Sequence, residues 1–524
     1  MGDGTGRWRR AFHRAWWSGA AAGATAAALA TGLTLLLEGA TGWPSLPTLT
    51  ADGATLLLPG GVFGVLIDAL QERGRPLLLL ALTLVIVAVG ALVGSLVART
   101  TVRREVAGPG QTGRRVGAWP VRVLAPAAAL SLASWPLVAV GQGSWGLAAL
   151  GSSFVDWLLV AALLELALDA PAGPAVRPGR RAGMTPAAQL SRRTLLQAAG
   201  ATAGGVTVAL LGLRVLRPVR VPIAPLLAGA SGFGDLSGIT PPADFYVVSK
   251  NLLGDPAIAA ATWRLSVGGT RPFVLGYADL QSLPHVEQVQ TLECISNPVG
   301  GALMSTGRFT GVRLVDLLQR AGLPPDTVQV AFRSADGYTE SLPLVAALAP
   351  TTLVADHLDG RPLPRAHGAP ARILVVGRYG MKSPKWLTEI TPVNRPVQGY
   401  WEQRGWNAAA IVRTTARFDH PAGDVVWPRG RPLPLRGVAF AGDRGIARVE
   451  VSVDGGGRWV ATRLQPVLAP GAWRLWTRWW APSPGFHTFF VRAVDGEGHV
   501  QTAAGRGSYP AGATGYDAIT VQVA

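Results

Sequence analysis

The chain has 524 residues, a formal net charge of +17 and a single cysteine, Cys294. One thiol excludes an intrachain disulfide, a CxxCH haem attachment, a cysteine zinc cluster and a four-cysteine iron–sulfur site supplied by this chain. The charge would ordinarily point to nucleic acid, but the arginines gather in short segments between apolar runs. Membrane topology accounts for them, and no nucleic-acid partner is expected.

Composition shifts near residue 220: the first part is rich in Ala, Leu, Val and Gly and poor in acids, which predicts an all-α transmembrane region over 1–220. An apolar helix needs ~20 residues to cross a bilayer. Five stretches qualify, at 17–37, 77–98, 121–140, 145–167 and 195–216, so a five-helix bundle is expected. Leu56 to Leu70 is shorter, interrupted by Pro59, Gly60 and Gly61, and carries Asp68; it reads as an interfacial or re-entrant helix.

Arginine clusters precede the first span (Arg7, Arg9, Arg10, Arg14), follow the second (Arg99, Arg103, Arg104, Arg114, Arg115, Arg122) and follow the fourth (Arg177, Arg180, Arg181, Arg192, Arg193). The positive-inside rule places all three in the cytoplasm and leaves the C-terminal half extracytoplasmic, on a bacterial-type cytoplasmic membrane with lipid as its neighbour. The last span opens with Ser191-Arg192-Arg193-Thr194-Leu195-Leu196, which resembles a twin-arginine export signal and is equally a pair of positive-inside residues. Asp156 falls inside the fourth span, either as a proton-uptake group beside a quinone or as a helix-contact hydrogen bond. No histidine lies within the five spans, which excludes a bis-histidine haem between them.

From Gly238 onward the pattern becomes short strands, turns and a few helices, an α+β region over 238–420. A strand is expected at Trp263 to Val267, an amphipathic helix at Val312 to Ala321, and a strand from Val286 that ends at Cys294. The irregular run Ile295-Ser296-Asn297-Pro298-Val299-Gly300-Gly301 then presents Cys294 at a strand end. By residue type alone, a lone cysteine is more often a small buried hydrophobe than a ligand.

After Pro421, six alternating runs with turns at Asp454-Gly455 and Asp495-Gly496 predict an all-β, immunoglobulin-like sandwich over 421–524. The runs are Leu435 to Ala441, Ala447 to Val453, Trp459 to Leu464, Trp473 to Trp480, His487 to Val494 and Ala518 to Val523. Trp473, Trp476, Trp479 and Trp480 are expected in core and edge packing rather than on a carbohydrate platform.

Six ordered motifs change the reading of Cys294: Phe245-Tyr246-Val247-Val248-Ser249-Lys250-Asn251, Thr291-Leu292-Glu293-Cys294-Ile295-Ser296-Asn297, Ser334-Ala335-Asp336-Gly337-Tyr338, His367-Gly368-Ala369-Pro370-Ala371-Arg372, Gly380-Met381-Lys382-Ser383-Pro384-Lys385-Trp386 and Gly399-Tyr400-Trp401-Glu402-Gln403-Arg404-Gly405-Trp406. Together they resemble the molybdopterin-binding domain of the sulfite oxidase family over most of residues 238 to 420. The resemblance implies a molybdenum–molybdopterin cofactor with Cys294 as the molybdenum ligand, a soft thiolate suiting a metal–sulfur centre. It further implies a cofactor cradle of His367, Arg372, Ser383, Pro384 and Lys385, with Tyr246, Val248, Ser249, Lys250 and Asp336 at other pterin-contacting positions. Without it, His367 and Arg372 read as surface turn residues and Asp336 as a β-turn residue before Gly337.

Two departures bear on substrate. Val248 stands where sulfite oxidases carry an arginine, and Pro298, Val299 and Gly300 stand where they carry arginines after the cysteine, so that oxyanion pocket is missing. Trp406 occupies the position of the family's active-site tyrosine and has no phenolic acid to offer. The resemblance implies a membrane-anchored oxidoreductase carrying out two-electron oxygen-atom transfer, with Cys294 and Trp406 at the reaction site. Electrons must pass to or from a separate protein or a quinone. Reduction of a small-molecule S-oxide or a protein methionine sulfoxide is the alternative direction, and a non-catalytic membrane adaptor the alternative class. The C-terminal module resembles the family's dimerisation domain, which makes a homodimer possible.

Overall fold

The computed structural model describes residues 4–41, 45–58, 62, 66, 74–106, 129–132, 134, 156–163, 238–251, 255–421 and 423–524. The chain divides into two compact units, Met1–Pro59 with Glu72–Pro218, and Gly60–Gln71 with Val219–Ala524.

In the first unit, α1 (Gly4–Thr41), α2 (Leu46–Leu57) and α3 (Gly74–Val106) are helical. Gly19–Glu38 within α1 and Leu77–Val97 within α3 are long and apolar enough to cross a bilayer. α1 and α3 pack with backbones in contact: a Cβ on Gly23 would fall 1.9 Å from the Gly90 carbonyl oxygen. Of the other three expected spans, residues 129–132 and 156–163 are helical, and 195–216 lies outside the described residues, as does the Ser191 to Leu196 motif.

Of the expected interfacial helix over 56–70, Leu56 and Leu57 close α2, Val62 and Leu66 are helical, and most of the remainder lies outside the described residues. Pro47 in the first turn of α2 has the φ a helix needs, and the Glu38 carboxylate accepts hydrogen bonds from Ser45 N, Ser45 Oγ and Thr48 Oγ1 at its start. Leu46 and Leu49 anchor α2 in a core with Ala27, Ala30 and Ile86.

In the second unit, residues 264–393 carry β1 (Arg264–Val267), β2 (Phe273–Gly276), β3 (Val286–Glu293), β4 (Met304–Arg313), β5 (Gln329–Ser334), β6 (Thr339–Pro343), β7 (Leu353–Leu358), β8 (Arg361–Pro362), β9 (Arg372–Leu374) and β10 (Leu387–Val393). They form two sheets, ordered β2-β1-β10-β5-β6 and β3-β4-β7-β8, with β9 added beside β7. Three short helices, α4 (Tyr277–Ser282), α5 (Leu314–Ala321) and α6 (Leu344–Ala347), complete this α+β part. α5 begins two residues later than expected, because Val312 is still paired with Val354 in the sheet. Its buried Leu314, Leu317, Leu318 and Ala321 recur at helical spacing and close a core with Trp263, Leu265, Phe332 and Ile390.

Residues 415–523 carry β11 (Thr415–His420), β12 (Val425–Trp427), β13 (Leu433–Phe440), β14 (Ile446–Ser452), β15 (Val460–Ala461), β16 (Arg463–Leu464), β17 (Arg474–Trp480), β18 (Gly485–Asp495) and β19 (Asp517–Val523). Two sheets, β11-β13-β17-β16 and β12-β19-β18-β14-β15, share one apolar core that includes Phe418, Leu435, Val449, Trp476, Phe489 and Val521. The single strand expected at Trp459 to Leu464 is two pieces in different sheets. They part at Thr462, whose amide and hydroxyl both donate to Val449 O. Of the four tryptophans, Trp473 and Trp476 are buried, whereas Trp479 is 53% exposed and packs no core.

Candidate functional site

β3 delivers the thiol. Its last residues, Gln290 to Glu293, are buried, and the Cys294 amide still bonds to Leu303 O across the strand pair at 2.9 Å. The chain then turns: Asn297 N donates to Cys294 O, Asn297 Nδ2 donates to Glu293 Oε1 at 2.9 Å, and Leu303 N donates to Asn297 Oδ1 at 3.0 Å. This bracing leaves the Cys294 sulfur half-buried, 3.1 Å from Ser296 Oγ. Burial pushes the Glu293 carboxyl up to about 7, against the lowering effect of Asn297 and Arg417.

Around the thiol stand Tyr246 and Tyr379, both phenols raised by burial first, with Cys294 among the charges that raise them further. Gly380 packs over Tyr246 so closely that a Cβ would lie 2.8 Å from its hydroxyl.

A second group comes from the turn at Arg365–His367, from β9 and from the segment that follows it. Arg372 is buried and donates to the carbonyls of His367 (3.1 Å) and Ser383 (3.0 Å). Lys385 donates to the carbonyls of Val248 (3.1 Å) and Ala366 (2.9 Å). The buried His367 ring stands edge-on to Phe245, with Nε2 3.3 Å from Pro242 O. Gly368, at φ +106°, threads between the two cations, where a Cβ would sit 2.9 Å from that of Lys385 and 3.2 Å from that of Arg372. Ser383 Oγ accepts from Val375 N, and the Pro384 carbonyl accepts from Ile373 N.

Three basic side chains are thus crowded together, and among the described residues no carboxylate forms an ion pair with Arg372 or Lys385. The crowding is visible in their protonation. Burial lowers Arg372 to about 10. Burial lowers Lys385 to about 8, with Arg372 adding to the fall. His367 falls to about 4 through burial and then the charges of Arg372 and Lys385. Buried cations that hydrogen-bond to carbonyls and form no ion pair favour binding of an anion, and a thiol near them suits a metal–sulfur centre, so this donor set fits a phosphate-bearing molybdenum cofactor.

The remaining expected residues are linked to this group by backbone. Lys250 donates to Asp336 O at 2.7 Å, and its ammonium lies 3.8 Å from the Asp336 carboxylate, which also accepts from Asn251 and Tyr338 N. Ser249 Oγ accepts from Asn251 N. Asp336 therefore acts first as a turn residue, tying 245–251 to the turn at Gly337. Trp406 stands apart: among the described residues it shares no hydrogen bond with the cation cluster. It is buried edge-on to Tyr509 at 5.3 Å, and its indole N–H has no partner.

The sequence reading missed a buried ion cluster. Lys382 Nζ donates to Glu340 Oε1 at 2.8 Å, to Ser341 O, and to Glu402. The Glu402 carboxylate also accepts from Gly399 N, so the cluster fixes the segment that leads to Trp406. Lys382 lies in a motif where only Ser383, Pro384 and Lys385 were singled out, and its acids are 42 and 20 residues away.

Comparison with known proteins accords with this geometry. The oxidoreductase molybdopterin binding domain matches residues 253–401, so the fold and donor set define a molybdopterin-binding oxidoreductase domain. The chain is 30% identical over 287 residues to mitochondrial sulfite oxidase of Mus musculus, covering 45% of this chain and 52% of that protein. It is 33% identical over 198 residues to the oxidoreductase YuiH of Bacillus subtilis (strain 168), covering 36% of this chain and 97% of that protein. It is also 30% identical over 152 residues to the Azospira oryzae protein YedZ1, whose name assigns it to protein-methionine-sulfoxide reduction, covering 29% of this chain and 56% of that protein. The chain belongs to the sulfite oxidase family of molybdopterin-dependent oxidoreductases, and its cofactor is molybdenum–molybdopterin. It spans about half the length of the mammalian sulfite oxidases it matches.

Proposed function

We propose that this chain is a membrane-anchored molybdopterin oxidoreductase that transfers an oxygen atom, with two electrons and two protons, between water and a small-molecule or protein substrate. The observation that carries the reading is the cluster of Arg372, Lys385 and His367, in which neither cation forms an ion pair among the described residues, near the lone thiol of Cys294. When bound, molybdenum–molybdopterin supplies the two-electron oxygen-atom transfer. The protein's part is to hold and orient. Arg372, Lys385 and His367 take the cofactor phosphate, with Ser383 and Pro384 fixing the backbone beside it. Tyr246, Val248, Ser249, Lys250 and Asp336 line the pterin. Cys294 gives its sulfur to the metal, braced by the Asn297 hydrogen bonds. Trp406 offers the substrate an N–H but cannot exchange a proton.

A second direction, reduction of an organic or protein S-oxide, is favoured by Val248, Pro298, Val299 and Gly300. These residues remove the cations a sulfite site would use, and the similarity to YedZ1 points the same way. Two apolar helices and the arginine clusters support an anchor, from which five spans, an extracytoplasmic catalytic side and export by a twin-arginine route are read. Domain limits of 1–220, 238–420 and 421–524 follow, the last an immunoglobulin-like sandwich suited to a homodimer. Electrons pass to a separate protein or a quinone.

The test is molybdenum per chain, by elemental mass spectrometry, in protein from a host that makes molybdopterin, followed by assays with reduced and oxidised dyes on S-oxides and sulfite. Near-stoichiometric metal, lost in Cys294→Ser without loss of fold, is expected. A folded, cofactor-supplied parent chain without metal refutes the enzyme reading in favour of a membrane adaptor.

A further inference from the structure

The loop after Cys294 forms one wall of a cavity of about 420 Å³. Ser296 lines it, one hydrogen bond from the thiol, and Pro298 and Val299 continue the wall. The facing wall comes from the C-terminal β-rich part: Phe490 of β18, Tyr516 just before β19, and the hairpin in which Arg506 and Thr514 exchange backbone hydrogen bonds. The walls meet at Gly515, where a Cβ would lie 3.2 Å from Gly505 Cα and 3.8 Å from Val299.

Arg506 is the one charged side chain among the lining residues, and among the described residues it has no ion-pair partner. The cavity falls in the size range of pockets that enclose organic ligands, ~300–1,000 Å³, and far exceeds what a four-atom oxyanion fills. Sulfite oxidation would call for several converging cations; this wall has one, set apart from the thiol by apolar surface.

Resting on the oxygen-atom-transfer reading above, we propose that the cavity takes a small organic thioether or S-oxide with an apolar middle and an anionic end. The sulfur faces Ser296 and Cys294, the carbon chain lies on Val299, Phe490 and Tyr516, and a carboxylate on the substrate pairs with Arg506. Arg506 is exposed, so its pairing with a carboxylate is worth up to about 1 kcal/mol and is screened by salt. The matching amide keeps the shape and loses that pairing, so Arg506 becomes the residue that sets charge preference.

The experiment is calorimetric titration of the full-length, cofactor-loaded chain in detergent with 3-(methylthio)propanoate and, separately, its amide. The acid is expected to bind about three- to fivefold more tightly. The preference should vanish in Arg506→Gln, persist in Arg506→Lys and shrink with added salt. Equal affinities in the parent chain, no binding of either probe, or an undiminished preference in Arg506→Gln overturns the assignment. Molybdenum content of the same sample separates the two readings. Stoichiometric metal without acid preference removes the cavity assignment alone, and acid preference without metal keeps the assignment and removes the oxygen-transfer reading.

Discussion

Replacing Arg372 with methionine separates a cofactor-binding cation from a structural one. In the cofactor-free chain the guanidinium is buried without an ion-pair partner, and its fall from the ordinary arginine range to about 10 corresponds to roughly 3 kcal/mol held against the charged form. This penalty is a property of the protonated state, so it is present at every pH below about 10. Methionine removes it but leaves the His367 and Ser383 carbonyls unpaired, at about 1–3 kcal/mol each. The two effects oppose, and the stability of the cofactor-free chain should change by between a gain of about 1 and a loss of about 3 kcal/mol. With the phosphate in place the balance reverses, because breaking a buried ion pair costs about 3–5 kcal/mol, or roughly 100- to 4,000-fold in retention. Denaturation of the cofactor-free chain, and molybdenum per chain after extended dialysis, give the two numbers. A variant that loses more than about 3 kcal/mol of stability yet keeps its molybdenum would refute the reasoning.

Three further outcomes are expected. The unfolded chain protonates His367 near 6.5 and the folded chain only near 4. Stability should therefore drop as pH falls through that window, by up to about 3 kcal/mol, and His367→Gln should flatten the dependence in melting curves taken across it. Lys382→Met leaves Glu340 and Glu402 buried together and should cost about 3–5 kcal/mol, part of which Glu340→Gln restores in the double variant, as read by denaturation. Trp406→Phe removes an N–H that has no partner but also shortens a buried ring packed on Tyr509, so it should cost about 1–2 kcal/mol. A change in kcat/KM without loss of molybdenum would place that N–H on the substrate.

The parts of the site legible in the sequence were those encoded by local order. β3 reads as a strand because Val286, Val289, Thr291 and Leu292 favour a pleated surface, and Pro298 and the two following glycines stop it, which leaves Cys294 at its end. Burial of His367 and Arg372 was not legible from type, since both residues prefer a surface turn. What buries them is long-range: β9 pairs with β7, and Lys385 reaches back 137 residues to the Val248 carbonyl. The Lys382 cluster was invisible for the same reason, its three charges lying on separate segments with no shared period. In the C-terminal part, alternation located the strands but not the change of sheet at Thr462, because period two does not distinguish one sheet from its neighbour. β11 and β12 escaped notice because they are short and interrupted by Asp419, His420 and Pro421.

The cysteine loop draws its supports from two sources, and this separates binding of the cofactor from choice of substrate. Its root belongs to the α+β part, through β3 and the Asn297 hydrogen bonds. Its tip belongs to the β-rich part: Arg417 donates to Gly301 O at 2.6 Å, and Gly300 passes so close to Asp517 that a Cβ would sit 2.4 Å from its carboxylate. Trp473 joins the two parts directly, its indole donating to Gly238 O and its amide to Thr291 Oγ1, both at 2.8 Å. Substitutions along 503–516 can therefore reshape the wall that faces the substrate without touching Arg372, Lys385 or the strand that carries the thiol. On the proposed assignment, Val248, Pro298, Val299 and Gly300 offer a substrate no charge, and Arg506, on that separate wall, is the charge that selects among substrates.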